Sequence, residues 1–144
     1  MDNTIHQLDS LIANEFALEI NGSPVSGIFG VSNLVTYATD EKGVRIKPPF
    51  QVTKMVERDA HNAFNQWLRE TMDARDSDEK PSRNVTLVAV DDGVETRRWE
   101  AQNARIIGIR YSDFDNSSFE MVAETILIAY DDIVESWPAS DLDA

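Results

Sequence analysis

The sequence predicts a mainly β domain, a β-barrel or two-sheet sandwich with one central α-helix. Three observations carry that expectation. Short runs of alternating apolar residues recur along most of the 144 residues, the pattern of strands that turn one face to a core. Turn signals, Asn21-Gly22-Ser23-Pro24 and Asp91-Asp92-Gly93, separate such runs. One long stretch, opened by Asp59, instead places Ala60, Phe64, Trp67, Leu68 and Met72 on one face at helical spacing.

The elements follow in order. Ile5, Leu8, Leu11 and Ile12 are spaced like a short amphipathic helix, which is stable only when docked on something. Residues 1–14 are therefore expected to be an N-terminal arm, residues 15–137 the β domain, and residues 138–144 a frayed tail. Phe16, Leu18 and Ile20 alternate as a strand, and a hairpin leads into Val25–Val31. Gly27 and Gly30 there imply a bulge or the close approach of another backbone. Leu34–Ala38 continues as a strand, and Thr39–Pro49 is a polar loop ending in Lys47-Pro48-Pro49. Phe50, Val52, Lys54 and Val56 alternate next. The helix follows, capped by Asp59, with Trp67 in the core. Arg75–Ser82 is a charged loop. Strands are then expected at Val85–Val90, Thr96–Ala101 and Ile106–Tyr111, with a turn over Asp113–Ser118.

The last run, Phe119–Ile133, is long for a strand and alternates apolar residues on both faces. Val122, Ile126, Ile128 and Tyr130 share one face, interrupted by Glu124. Met121, Ala123, Thr125, Leu127 and Ala129 share the other. Two apolar faces imply burial on both sides, by a layer of the same chain or by another subunit.

Composition narrows the function classes. The length fits one domain with a real core. There is no cysteine, so disulfides, thiolate metal sites and cysteine nucleophiles are excluded. No apolar run of about 18 residues occurs and no signal-peptide pattern opens the chain. Synthesis in the cytoplasm without export by a signal peptide, and no membrane binding by the subunit, are the expectations. The formal net charge is −13. Such a field repels nucleic acid and anionic membranes, so specific nucleic-acid binding is not expected; high solubility is the simpler consequence.

No constellation carries catalysis. His6 and His61 lie far apart, and His61 reads as a solvent-facing helical position. Asp113, Asp115 and Glu120 lack the glycine and spacing of a calcium loop, so a turn rich in Asp, Asn and Ser is the better reading. Asp131, Asp132 and Glu135 read as a solvated acidic edge. Arg97 and Arg98 point to opposite strand faces and read as partners in inter-strand or inter-subunit salt bridges. No catalytic, cofactor-binding or metal-binding residue is assigned, no cofactor is expected, and the chain is not expected to be an enzyme.

Several segments in order carry a family resemblance. They are Phe16–Gly22 with Gly27–Leu34, Phe64-Asn-Gln-Trp67, Arg83–Leu87, Arg98-Trp99 with Asn103-Ala104, Ser112–Asp115, and Glu124–Tyr130. Together, over about residues 15 to 134, they resemble the tail-tube proteins of contractile phages and phage-like contractile injection systems, related in fold to the type VI secretion tube protein. Asn33 stands where many relatives have glycine.

The resemblance implies a structural subunit that forms homo-hexameric rings stacked into a hollow tube. Its partners would be a contractile sheath protein, baseplate and tail-terminator proteins, and cargo (effector or DNA) in the lumen of a virion tail or injection particle. The expected subunit interface comprises Ile5, Leu8, Leu11, Val44, Ile46, Pro48, Thr125, Ile126, Leu127 and Ile128, with the final strand pairing between subunits. On that reading Ile126→Asp blocks assembly more than folding. The alternative is a monomeric helix-plugged β-barrel that binds a small apolar ligand.

Overall fold

A computed structural model describes Leu11 and residues 15–138. It contains ten strands: β1 Phe16–Ile20, β2 Ser23–Val25, β3 Ile28–Ser32, β4 Ala38–Thr39, β5 Arg45–Ile46, β6 Phe50–Met55, β7 Ser82–Asp91, β8 Val94–Tyr111, β9 Ala123–Ala129 and β10 Asp132–Ser136. One helix of these residues, α1, spans Ala63–Asp73. Eight strands form one sheet in the order β2-β1-β7-β8-β9-β6-β3, with β10 also beside β8. Every pairing is antiparallel. β4 and β5 form a separate hairpin.

Both predicted tight turns are present. Asn21-Gly22 and Asp92-Gly93 all have positive φ and join directly paired strand ends, Ile20 to Ser23 and Asp91 to Val94. This is the type I′ geometry whose twist suits a hairpin. The predicted irregularity in β3 is also present, as a register shift between Ile28 and Gly30.

The long strand β8 organises the fold. Its first part pairs with β7 on one side and β10 on the other, and its last part pairs with β9. The expected two strands, Thr96–Ala101 and Ile106–Tyr111, are thus one strand that belongs to both halves of the sheet. The bend lies at Asn103, whose φ is +50°, a conformation that asparagine tolerates better than most residues. The backbone N–H of Asn103 donates to Asn84 Oδ1 at 3.2 Å, and its side-chain amide donates to Asp131 Oδ2 at 2.6 Å. Ala104 beside it is completely buried, so the Asn103-Ala104 pair has a clear structural task. Asparagine makes the corner, and alanine leaves room inside it.

The two halves of the sheet and α1 enclose one core. Leu18, Ile20, Val85 and Ala101 come from one half, Phe50, Val52, Ile106, Ile126 and Ile128 from the other, and Phe64, Trp67 and Leu68 from the helix. Trp67 is fully buried, and its indole N–H donates to Pro81 O at 3.0 Å. Its predicted core position therefore holds. The helix begins later than expected. Asn62 is the N-cap, and its side chain accepts from Asn65 N at 2.8 Å. Asp59 instead accepts from His61 N at 2.8 Å, one turn earlier. Ala60 lies outside the helix, and Met72 is exposed.

Other expectations are corrected. Leu34–Ala38 is not a strand, and Thr39–Pro49 holds most of the β4–β5 hairpin. The run Phe119–Ile133 is not one strand. Phe119 to Val122 precede β9, and a break at Tyr130 and Asp131 separates β9 from β10. The expected mainly β fold with one central helix is present, as a curled sheet that does not close, because β2 and β3 end the strand order. Only Ser26 and Gly27 separate them in the chain, so the sheet curls until its ends lie within roughly 10 Å.

Candidate assembly surfaces

The interior holds a polar network next to α1. Lys54 is completely buried, yet its ammonium donates to Glu124 Oε1 at 2.8 Å, Asn65 Oδ1 at 3.1 Å and Met55 O at 3.0 Å. It also lies 5.5 Å from the Phe64 ring centroid. Three donors meet three acceptors, so the buried charge is satisfied. Sequence alternation places Lys54 and Glu124 on inward faces, and their cross-strand register (Lys54 opposite Glu124) makes them partners. A lysine and a glutamate at inward positions of two strands was the available signal. Tyr111, also opposite Glu124, has its phenol pKa raised by burial and then by the Glu124 charge.

The acidic clusters are structural. The Asp115 carboxylate accepts from Ser117 N at 3.0 Å and Ser117 Oγ at 2.8 Å, and these hydrogen bonds hold its pKa low. Asp132 pairs with Arg45 at 2.7 Å, and Asp131 with Arg105 at 3.0 Å. Among the described residues no group of three or more potential ligands could hold a metal ion. Arg97 and Arg98 do face opposite ways. Arg97 pairs with Glu135 and stacks on Trp99 and Trp137, with its guanidinium carbon 5.2 and 4.6 Å from their centroids. Arg98 pairs with Glu19 at 2.9 Å and Glu95 at 2.8 Å.

Among the described residues, two projections carry exposed apolar side chains. The β4–β5 hairpin carries Tyr37, Val44 and Ile46, all exposed. Its turn is held by Asp40 Oδ1, which accepts from Lys42 N and Val44 N at 2.9 and 3.0 Å. The hairpin is anchored by Arg45 to Asp132 and by the Tyr130 hydroxyl, which donates to Val35 O at 3.2 Å and Pro48 O at 2.8 Å. The β8–β9 loop, residues 112–122, carries Phe114, Phe119 and Met121, which are 81%, 103% and 65% exposed. Sequence reasoning missed Phe119 and Met121 as surface residues, because it assigned both to a strand; Phe114 lies in the turn it expected.

The expected interface residues divide accordingly. Val44 and Ile46 are exposed, and Leu11 borders an open groove with Phe16, Phe29 and Trp99. Pro48 is half-buried, as are Thr125 and Leu127 on the outer face of β9. Ile126 and Ile128 are corrected: both are completely buried in the chain's own core and cannot touch a neighbour. β9 is hydrogen-bonded on both sides, by β6 and β8, so it offers no free edge for pairing between subunits. Ile5 and Leu8 lie outside the described residues.

Among the described residues the sheet is curled but open, β2 and β3 each leave one edge unpaired, and apolar side chains stand exposed on the β4–β5 hairpin and the β8–β9 loop. Residues 13–134 match the family described as T4-like virus tail tube protein gp19. The chain belongs to this family. It is a tail tube protein.

Solved structures share the fold. A chain of the anti-feeding prophage cap (the AFP tube-terminating cap) aligns with a TM-score of 0.73 at 16% identity, covering 90% of this chain and 93% of that one. A chain of the PVC extracellular contractile injection system, from the sheath/tube terminator in its extended state, gives 0.70 at 14%, covering 88% and 96%. Hcp1 from Flavobacterium johnsoniae gives 0.55 at 13%, covering 85% and 94%. No curated protein matches the sequence.

Proposed function

We propose that this chain is the repeating inner-tube subunit of a contractile phage tail or injection particle, assembled as hexameric rings that stack into a hollow conduit. The observation that carries the reading is the family match over nearly the whole chain, in a subunit whose sheet ends in β2 and β3, each paired on one side only. Backbone groups along β2 and β3 would pair with neighbours in the ring, which removes the exposed edges. The β4–β5 hairpin would reach the next ring.

Sheath, baseplate and terminator proteins are the expected partners, since similar chains occur in sheath-tube, baseplate and tube-cap complexes. The role is mechanical, with no enzymatic step. The net charge of −13 would help DNA or acidic cargo slide through the lumen without sticking. Phe64, Trp67, Ile126 and Ile128 occupy the interior where the ligand-binding alternative needs a cavity.

Negative-stain electron microscopy of the concentrated protein, alone and with baseplate components, tests this reading. Six-fold rings or hollow tubes are expected. A particle-free sample in both conditions would reject it.

A further inference from the structure

The end of the subunit that carries the β8–β9 loop also carries an open groove of about 440 Å³ beside α1. Val56, Leu68, Met72 and Ile109 give it an apolar floor, and Arg58 and Arg69 stand at its rim. Among the described residues, neither arginine has a carboxylate within salt-bridge distance. The two carboxylates that border the groove, Glu57 and Glu124, are both held by Lys54, at 3.7 and 2.8 Å.

The loop has the opposite character. Residues 112–122 contain Asp113, Asp115 and Glu120 and no basic residue. Between these acids stand Phe114, Phe119 and Met121, all largely in solvent. The loop is nonetheless built rather than loose. Ser112 N donates to Ala123 O at 2.9 Å, Ala123 N to Ser112 Oγ at 2.9 Å, and Ser118 N to Asp115 O at 3.1 Å. A preformed loop gives up little conformational freedom on binding.

Loop and groove do not satisfy each other within one subunit. Tyr111 and Glu124, at the foot of the loop, border the groove, yet Phe114 and Phe119 remain in solvent.

We propose that the β8–β9 loop of one copy inserts its aromatic side chains into the α1 groove of a second copy, with its acidic residues against Arg58 and Arg69. The occupant is a second copy because the complementary surfaces, one acidic and aromatic, the other apolar with a basic rim, occur on the same chain. The contact is heterologous. Each copy that docks a loop still has a free groove, so the association propagates into a ring or a filament. This rests on the tube reading and deepens it by assigning one of its contacts.

Because the chain has no cysteine, two single-cysteine variants test the contact. Phe119→Cys and Met72→Cys each replace an exposed side chain. They are mixed in equal amounts under assembly conditions and treated with a short thiol-to-thiol cross-linker. The expected result is a covalent dimer in the mixture, at twice the 16.2 kDa subunit mass, that neither variant gives alone. Rings or tubes that form without the mixed dimer would overturn the contact and leave the tube reading standing. A mixed dimer without any particle would keep the contact and remove the tube. No dimer and no particle would overturn both. As a second arm, the double variant Phe114→Ser/Phe119→Ser keeps its fold by circular dichroism and loses the self-association of the unmodified chain; unchanged self-association would overturn the contact.

Discussion

Lys54 and Glu124 face each other across β6 and β9 with 2.8 Å between Nζ and Oε1, and both are buried. Breaking such a pair leaves the remaining charge uncompensated in the interior, which costs about 3 to 5 kcal/mol. Lys54→Met is expected to lower folding stability by that amount in urea titration. Lys54→Met/Glu124→Leu removes both charges and is expected to recover most of the loss. A double variant no more stable than the single one would show that the pair is not the energetic unit.

Ile126 bears on how assembly and folding separate. The sequence pattern alone implies that Ile126→Asp spares folding, but the side chain is completely buried beside Val52 and Ile109. An unpaired carboxylate there has no partner and displaces well-packed apolar contacts. The variant is expected to lose its cooperative thermal transition as a monomer. A folded Ile126→Asp monomer that merely fails to assemble would contradict the core placement.

The helix cap separates Asn62 from Asp59. Asn62→Ala removes the bond to Asn65 N and is expected to cost about 1 kcal/mol. Asp59→Ala is expected to cost less, because its carboxylate serves a turn outside the helix. Chemical denaturation of the two variants checks this order. A larger loss at Asp59 would restore it as the cap.

The carboxylates of Asp131 and Asp132 are held below their ordinary pKa, Asp131 by Asn103 and Arg105, Asp132 by Arg45 and the Ile133 backbone N–H. A pKa lower in the folded than in the unfolded chain means that the unfolded chain binds more protons in that range. Their contribution to stability is therefore full above the usual carboxylate pKa of about 3.9 and is lost as pH falls through the folded value. Both groups are open to solvent, so the effect is small and salt-sensitive. Asp131→Asn/Asp132→Asn should flatten the acid side of the stability curve below about pH 4. An unchanged acid limb would assign it to other groups.

Much of the fold was legible in local chemistry. Asn21-Gly22 and Asp92-Gly93 announced their hairpins because two consecutive positive φ values suit few other residue pairs. Phe64, Trp67 and Leu68 announced a helix face because their spacing matches its turn. The misread segments were those whose assignment depends on distant partners. Phe119 and Met121 alternate like strand residues, yet among the described residues no strand pairs with them. Val44 and Ile46 sit in a polar segment that reads as a loop, and their hairpin is held by contacts to the distant Tyr130 and Asp132.

The sequence by itself determined the β-rich class, the central helix, the turns and the order of segments that marks the tail-tube family. Each of these follows from neighbours within a few residues, where backbone preference and side-chain periodicity act directly. Tertiary structure alone decided that β8 serves both halves of the sheet, that β9 is an inner strand, and that Lys54 meets Glu124. It also decided which apolar residues remain outside. Alternation states that a strand has two faces, but which face is covered, and by what, is set by the strands and helix that pack against it from far along the chain.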